Sequence, residues 1–206
     1  IPLLGGAYQA KSVLANCQAC INLFPETNPQ SSQAPVPVTH YPTPGLRTLV
    51  TPDYPAAVRC LYRATNNEGF CVIGSKVFFI DTDWSLTFLG DIAQGSTPVI
   101  MTDNSIDIML VDGSINGYVI NLATHAFSQI NDPAFYGSTG AGYLDTFGLF
   151  NRPNTNQWYC TLSNSVSFDA LDIAAKTGGA DFIQRVLPKT SEAWVIGLFT
   201  SEVWGL

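Results

Sequence analysis

Two cysteines set three positions apart, Cys17 and Cys20, have the spacing of half a zinc site or of a redox pair. Zinc needs a second set of ligands and a thioredoxin-like pair needs a strand–helix–strand frame, and neither accompanies them. Cys60, Cys71 and Cys160 fall in apolar runs, where a thiol packs as a small hydrophobe. Five cysteines, an odd number, argue against a disulfide framework, so the expectation is reduced structural thiols with no metal and no other cofactor. Asp81, Asp103, Asp107, Asp112, Asp145 and Asp169 supply carboxylates of the kind a glycosidase uses in pairs about 5–10 Å apart. Most of them lie at strand ends and turns, where Asp bonds its own backbone, and no pair stands out. His40 lies in a proline-rich stretch and His125 in a hairpin turn, neither with a Ser or Cys at the spacing of a triad. The run from Gly137 to Gly142 lacks the lysine of a phosphate loop and leads into no clear helix, so it reads as a turn. No catalytic residue is assigned, and the chain is read as a non-enzyme.

What would position these residues is a unit that recurs. Residues 77–81 alternate above and below a pleat, Thr82-Asp83-Trp84-Ser85 turns the chain, and residues 86–92 return apolar, which is a β-hairpin. The pattern comes back at 117–121 and 126–130, with Phe78 answered by Tyr118 and Phe88 by Phe127. It recurs at 158–161 with 166–171 and begins again at 203–206. Apolar runs before the hairpins end at residues 73, 111, 150 and 199, spaced by 38, 39 and 49 residues. Ahead of each lies one more candidate strand, at 58–62, 98–101, 135–143 and 182–186. Four short strands per repeat describe propeller blades. The predicted fold class is therefore all-β, a β-propeller of about three and a half four-stranded blades, roughly 57–92, 97–131, 135–172 and 182–206, with an extended N-terminal arm. The unfinished last repeat leads us to expect that the 206 residues are part of a longer protein with at least two more blades.

Composition supports this class and excludes others. Only 12% of residues are charged, about half the usual share, while 46% are hydrophobic. A net charge of −7 with no basic run excludes gripping of phosphates by counterion release. DNA would pass such a chain without specific binding, and acidic walls along an exit would reduce drag. No apolar run approaches the roughly 18–20 residues that cross a bilayer, and no membrane partner is expected. Residues 1–55 differ from the rest: they form a Pro-rich arm and linker ahead of the propeller at 56–206. Residues 170–179 are the best helix candidate, with Asp169 as cap and Gly178-Gly179 as stop.

Two separated motifs carry a resemblance. Gly5-Gly6-Ala7-Tyr8-Gln9-Ala10 with Ser12, then Ala15-Asn16-Cys17-Gln18, Cys20 and Asn22-Leu23-Phe24-Pro25-Glu26, followed by Thr43-Pro44-Gly45-Leu46, resembles the opening of the packaged-DNA stabilisation proteins of short-tailed bacteriophages. Phe168-Asp169-Ala170-Leu171-Asp172 and the run Glu192 through Ser201-Glu202-Val203-Trp204 are similar to a later blade segment of the same family. The resemblance implies a virion protein of the tail or neck, assembled in the host cytoplasm, that forms a homo-oligomeric ring below the portal and its adaptor. Such a ring closes the exit after packaging, retains the DNA and seats the tail needle or further tail proteins. Asn22, Leu23, Phe24, Pro25, Glu26, Trp84, Ile173 and Lys176 are the expected interface residues. The alternative on the same architecture is a carbohydrate-binding or carbohydrate-cleaving propeller.

Overall fold

Every regular element of residues 22–29 and 38–205, which the computed structural model describes, is a strand. Cys17 and Cys20 lie outside the described residues. The chain divides into two units, Ile1–Leu49 and Val50–Leu206. In the first, β1 (Leu23–Thr27) pairs antiparallel with β2 (Val38–Pro42).

The second unit is a series of antiparallel meanders. Strands β3 (Val58–Arg63), β4 (Gly69–Ile73), β5 (Lys76–Ile80) and β6 (Leu86–Asp91) form one sheet in chain order. Strands β7 (Ile100–Asp103), β8 (Asp107–Val111), β9 (Gly117–Asn121) and β10 (Phe127–Gln129) form the next. The third holds β11 (Ala141–Leu144), β12 (Phe147–Asn151), β13 (Gln157–Thr161) and β14 (Phe168–Ala175). The fourth has three described strands, β15 (Ile183–Lys189), β16 (Glu192–Gly197) and β17 (Ser201–Gly205). First strands neighbour first strands, β3 beside β7, β7 beside β11 and β11 beside β15, which is radial stacking. The all-β propeller class read from the repeats is the class observed, with the ring of sheets not closed.

Period-two alternation explains why the sheets stack. Ile108 and Leu110 of β8 face the first sheet and join Phe70, Val72 and Val77 in one core, while Met109 and Val111 of the same strand face the third sheet with Phe150 and Tyr159. Leu149 and Trp158 turn the other way, onto Ile183, Val186 and Val195 of the fourth sheet. The second and third sheets are thus apolar on both faces because each is covered twice. Close approach demands glycine at Gly90, where a side chain would collide with the Phe127 ring of the next sheet.

Two expectations fail. Residues 170–175 are not a helix but the end of β14, whose Ile173 and Ala174 pair with Tyr159 and Trp158. Ala and Leu favour a helix there, yet leaving the β13 edge without its neighbour would expose ladder groups and both aromatic faces. The weak strand at 135–143 shrinks to β11, because Phe135 is a core plug, its ring centroid 5.2 Å from Phe168 and 6.1 Å from Phe150.

Candidate interaction surfaces

The aspartates are spent on structure. Asp103 accepts the Tyr62 hydroxyl at 2.6 Å, the Thr65 hydroxyl at 2.6 Å, the Thr65 amide at 3.2 Å and the Ser105 amide at 3.0 Å. It therefore ties the β3–β4 turn of the first sheet to the end of β7, and burial together with this bond pushes the Tyr62 phenol well up. Asp112 takes the Ser114 amide and hydroxyl and lies 4.0 Å from Arg59, whose guanidinium also donates to the carbonyls of Thr97, Gly74 and Ala93. Asp107 accepts Asn121, Asp81 accepts Thr82, Asp169 accepts the Leu171 amide, and Asp145 occupies a left-handed turn position at φ 53°. None of these carboxylates is an exposed side chain of β3, β7, β11 or β15.

Replacing Asp103 with alanine leaves a half-buried phenol and a hydroxyl without their acceptor. We expect a loss of about 2–3 kcal/mol in unfolding free energy by urea titration, and Asp103→Asn to recover part of it. A loss below about 0.5 kcal/mol would mean that the turn holds without the carboxylate.

The remaining candidate chemistry is likewise absorbed. His125 Nε2 lies 3.0 Å from the Glu68 carboxylate, and its ring packs on Phe79 at 4.3 Å, pinning the β9–β10 turn to the first sheet. Cys60, Cys71 and Cys160 are free thiols; burial pushes Cys60 up to about 11 and raises the other two. Among the described residues no group of three His, Cys, Asp or Glu could hold a metal. Gly137, at φ 77°, starts a turn in which the Ser138 hydroxyl bonds Asn151, and that turn feeds β11, as its composition suggested.

The expected interface residues separate into three kinds. On the hairpin, Leu23 is 43% and Phe24 47% exposed, and Phe24 stacks on Tyr41 at 5.8 Å. The Thr43 amide donates to the Asn22 carbonyl at 2.9 Å, so hydrogen-bonded pairs fall at Phe24–Tyr41 and Glu26–Thr39. Pro25 and Pro42 then occupy positions whose nitrogens face outward, so each edge has a residue with no N–H to offer a further strand. The hairpin presents its faces rather than its edges. Trp84, 51% exposed at φ 70°, stands at the β5–β6 turn beside an open groove of about 820 Å3 with Leu61, Arg63, Asn66 and Asp81 on its walls. Ile173 is half-buried against Tyr159, and Lys176 is 1% exposed, its ammonium held by Asp181 and the Thr200 hydroxyl inside the unit.

Sequence reading passed over the outer face of the first sheet. Phe78, Leu86, half-exposed Phe88 and Lys76 line a groove of about 550 Å3 there, closed on one side by Val50–Tyr54. Lys76 lies 4.7 Å from the Phe88 ring centroid and 5.4 Å from that of Tyr54. Tyr54 between Pro52 and Pro55 was the available signal, an aromatic in a stretch that otherwise builds no ladder.

A family model described as "Bacteriophage P22 Gp10, beta-propeller" matches residues 1–206. No curated protein matches the chain. Similar solved structures include the β-propeller domain of Cps50 (Swd1) from Myceliophteria thermophila, 11% identical at a TM-score of 0.57, over 84% of this chain and 60% of that one. The computationally designed Ika4 protein is 10% identical at a TM-score of 0.55, over 79% of this chain and 99% of its own. Selenomethionine-substituted virginiamycin B lyase from Staphylococcus aureus is 11% identical at 0.50, over 90% and 63%. At such identities these likenesses show the propeller fold alone, and the chain spans about 60% of the Cps50 domain.

Proposed function

The chain belongs to the phage-stabilisation family of bacteriophage P22 Gp10, structural phage proteins built on a β-propeller, and from that premise we propose that it closes the portal exit once the genome is packaged. It does so as a homo-oligomeric ring in the neck, below the portal and its adaptor, retaining the DNA and seating the tail needle or other tail proteins. The observation that carries this reading is the family match along the whole of residues 1–206. The geometry is consistent with it, since Asp103, Asp112 and His125 are engaged in joints between sheets. Contacts with neighbours fall to the Phe24–Tyr41 face of the hairpin and to Trp84, where exposed aromatics are available as anchors.

The test uses phage heads filled in a host lacking this protein. Packaged DNA is expected to become accessible to nuclease and to be protected again when the purified protein is added. Heads that keep their DNA equally well without it would overturn the proposal. With Phe24 and Trp84 both changed to alanine, protection should need about tenfold more protein, the cost of two lost anchor side chains.

A further inference from the structure

The turns at one end of the first two sheets meet around a groove. The β3–β4 and β5–β6 turns belong to the first sheet, and the β7–β8 and β9–β10 turns to the second. Asp103, which accepts Tyr62 and Thr65, and His125, 3.0 Å from Glu68, hold the two sheets together there. Asn66 of the β3–β4 turn lines both hollows of the groove. One, of about 820 Å3, carries Trp84 and Phe79 on its walls, and the other, of about 310 Å3, carries Ile106 and Leu122. Trp84 and Ile106 are 51% and 55% exposed, so each hollow has one accessible apolar anchor. Blades stack face against face, and a sheet added on either side of this pair leaves their turns open.

Trp84 stands against backbone preference. Its φ of 70° is left-handed, where glycine rests more easily than a residue with a bulky side chain. The turn itself does not depend on the ring: the Trp84 amide donates to the Asp81 carbonyl at 2.9 Å, and the Ser85 amide to the Asp83 carboxylate at 2.9 Å.

Charge selects the occupant. Glu68 and Asp81 line the larger hollow, Asp83 precedes Trp84 and Asp107 follows Ile106. Against these carboxylates stand Arg63, which already donates to Asn67 at 2.7 Å, and His125, engaged with Glu68. Nucleic acid is repelled by such a surface. A second copy of this chain has little to offer it: among nine lysines and arginines, Arg59 and Lys176 are buried, and Lys76 and Arg152 are bonded within their own sheets.

We infer that this groove docks a basic segment of another polypeptide, whose apolar side chains enter the hollows beside Trp84 and Ile106 while its lysines or arginines reach the carboxylates. This deepens the anchor role given to Trp84 above, and the partner's being a virion chain rests on that reading. The groove itself is tested without phage, so its failure leaves DNA retention untouched.

The probe is a fluorescein-labelled peptide, Ser-Lys-Lys-Leu-Ser-Leu-Lys-Lys-Ser, titrated against the purified chain by anisotropy. It is expected to bind saturably and to slow hydrogen exchange in residues 81–85 and 104–107. With its leucines replaced by serine it should bind at least about tenfold more weakly. Trp84→Gly should weaken binding by a similar factor without lowering the urea midpoint, because glycine accepts the left-handed turn. Asp81→Asn combined with Asp83→Asn keeps the acceptors for Thr82 and Ser85, and should weaken binding several-fold at low salt and less at high salt. A groove already filled by a second copy or by the chain's own N-terminal residues would not take the peptide, and absence of saturable binding overturns the inference. Equal binding of the leucine and serine peptides does the same. So does a fall in the urea midpoint of Trp84→Gly, since the ring is then a packing residue of its own sheet.

Discussion

Replacing Phe150 with alanine should lower the free energy of unfolding by about 3–5 kcal/mol, read from the urea midpoint at constant slope. Its side chain is 0% exposed and belongs to the joint between the second and third sheets. It stacks on Tyr159 at 5.7 Å and meets Phe135 and Phe168 edge-on at 6.1 and 5.6 Å, so truncation removes aromatic pairing as well as buried area. The rings around it come from β13, β14 and the segment before β11, so they cannot collapse together into the space without moving three elements. Phe88→Ala is the matched control. That ring stands on β6, the fourth strand of the first sheet, and is 48% exposed, so its loss should cost less than about 1 kcal/mol. Equal losses at the two positions would show that stability does not reside in the joints between sheets.

The joints were legible in the sequence because alternation writes both faces of a doubly covered strand into adjacent residues. Ile108-Met109-Leu110-Val111 reads as one apolar run, and the structure sends its odd and even members to different cores. The aromatic recurrence of Phe88 and Phe127 marked the fourth strands of the first two sheets. What the sequence hid was set by partners far along the chain. Residues 170–175 are strand because β13 offers an edge, which local propensity toward helix cannot register. Lys176 reads as an interface residue of the helix candidate at 170–179, and only Thr200, 24 positions on, and the folded course of residues 177–181 bury it. Aspartates in turns behaved as their type predicts, whereas the reach of Asp103 across two sheets depends on a separation of 41 positions from Tyr62 that no spacing rule encodes.

Asp181→Asn is the change expected to matter most for the fourth sheet, and its effect should depend on pH in a stated direction. The Asp181 carboxylate receives the Lys176 ammonium, the Phe199 amide at 2.8 Å and the Thr200 amide at 3.2 Å, so one side chain joins the end of β14 to the β16–β17 turn. Lys176 first, then the Phe199 amide and the Thr200 hydroxyl, hold this carboxyl well below the ordinary aspartate range. The folded state therefore binds the proton less readily than the unfolded chain. The resulting stability is present in full above the unfolded value of about 4 and is lost as pH falls below it. At neutral pH the asparagine variant leaves the buried ammonium without its counter-charge, and its urea midpoint should drop clearly. Below about pH 4 Asp181 of the unfolded chain takes up a proton that the folded carboxylate still refuses, so the native protein loses this stabilisation and the difference between it and the variant should narrow there. Lys176→Met in the Asp181→Asn background removes the stranded charge and should recover part of the loss. Midpoints that stay parallel from pH 7 to below 4 would show that the pair contributes no ionic stabilisation, and a double variant no better than the single one would place the cost in the lost amide bonds of Phe199 and Thr200 instead.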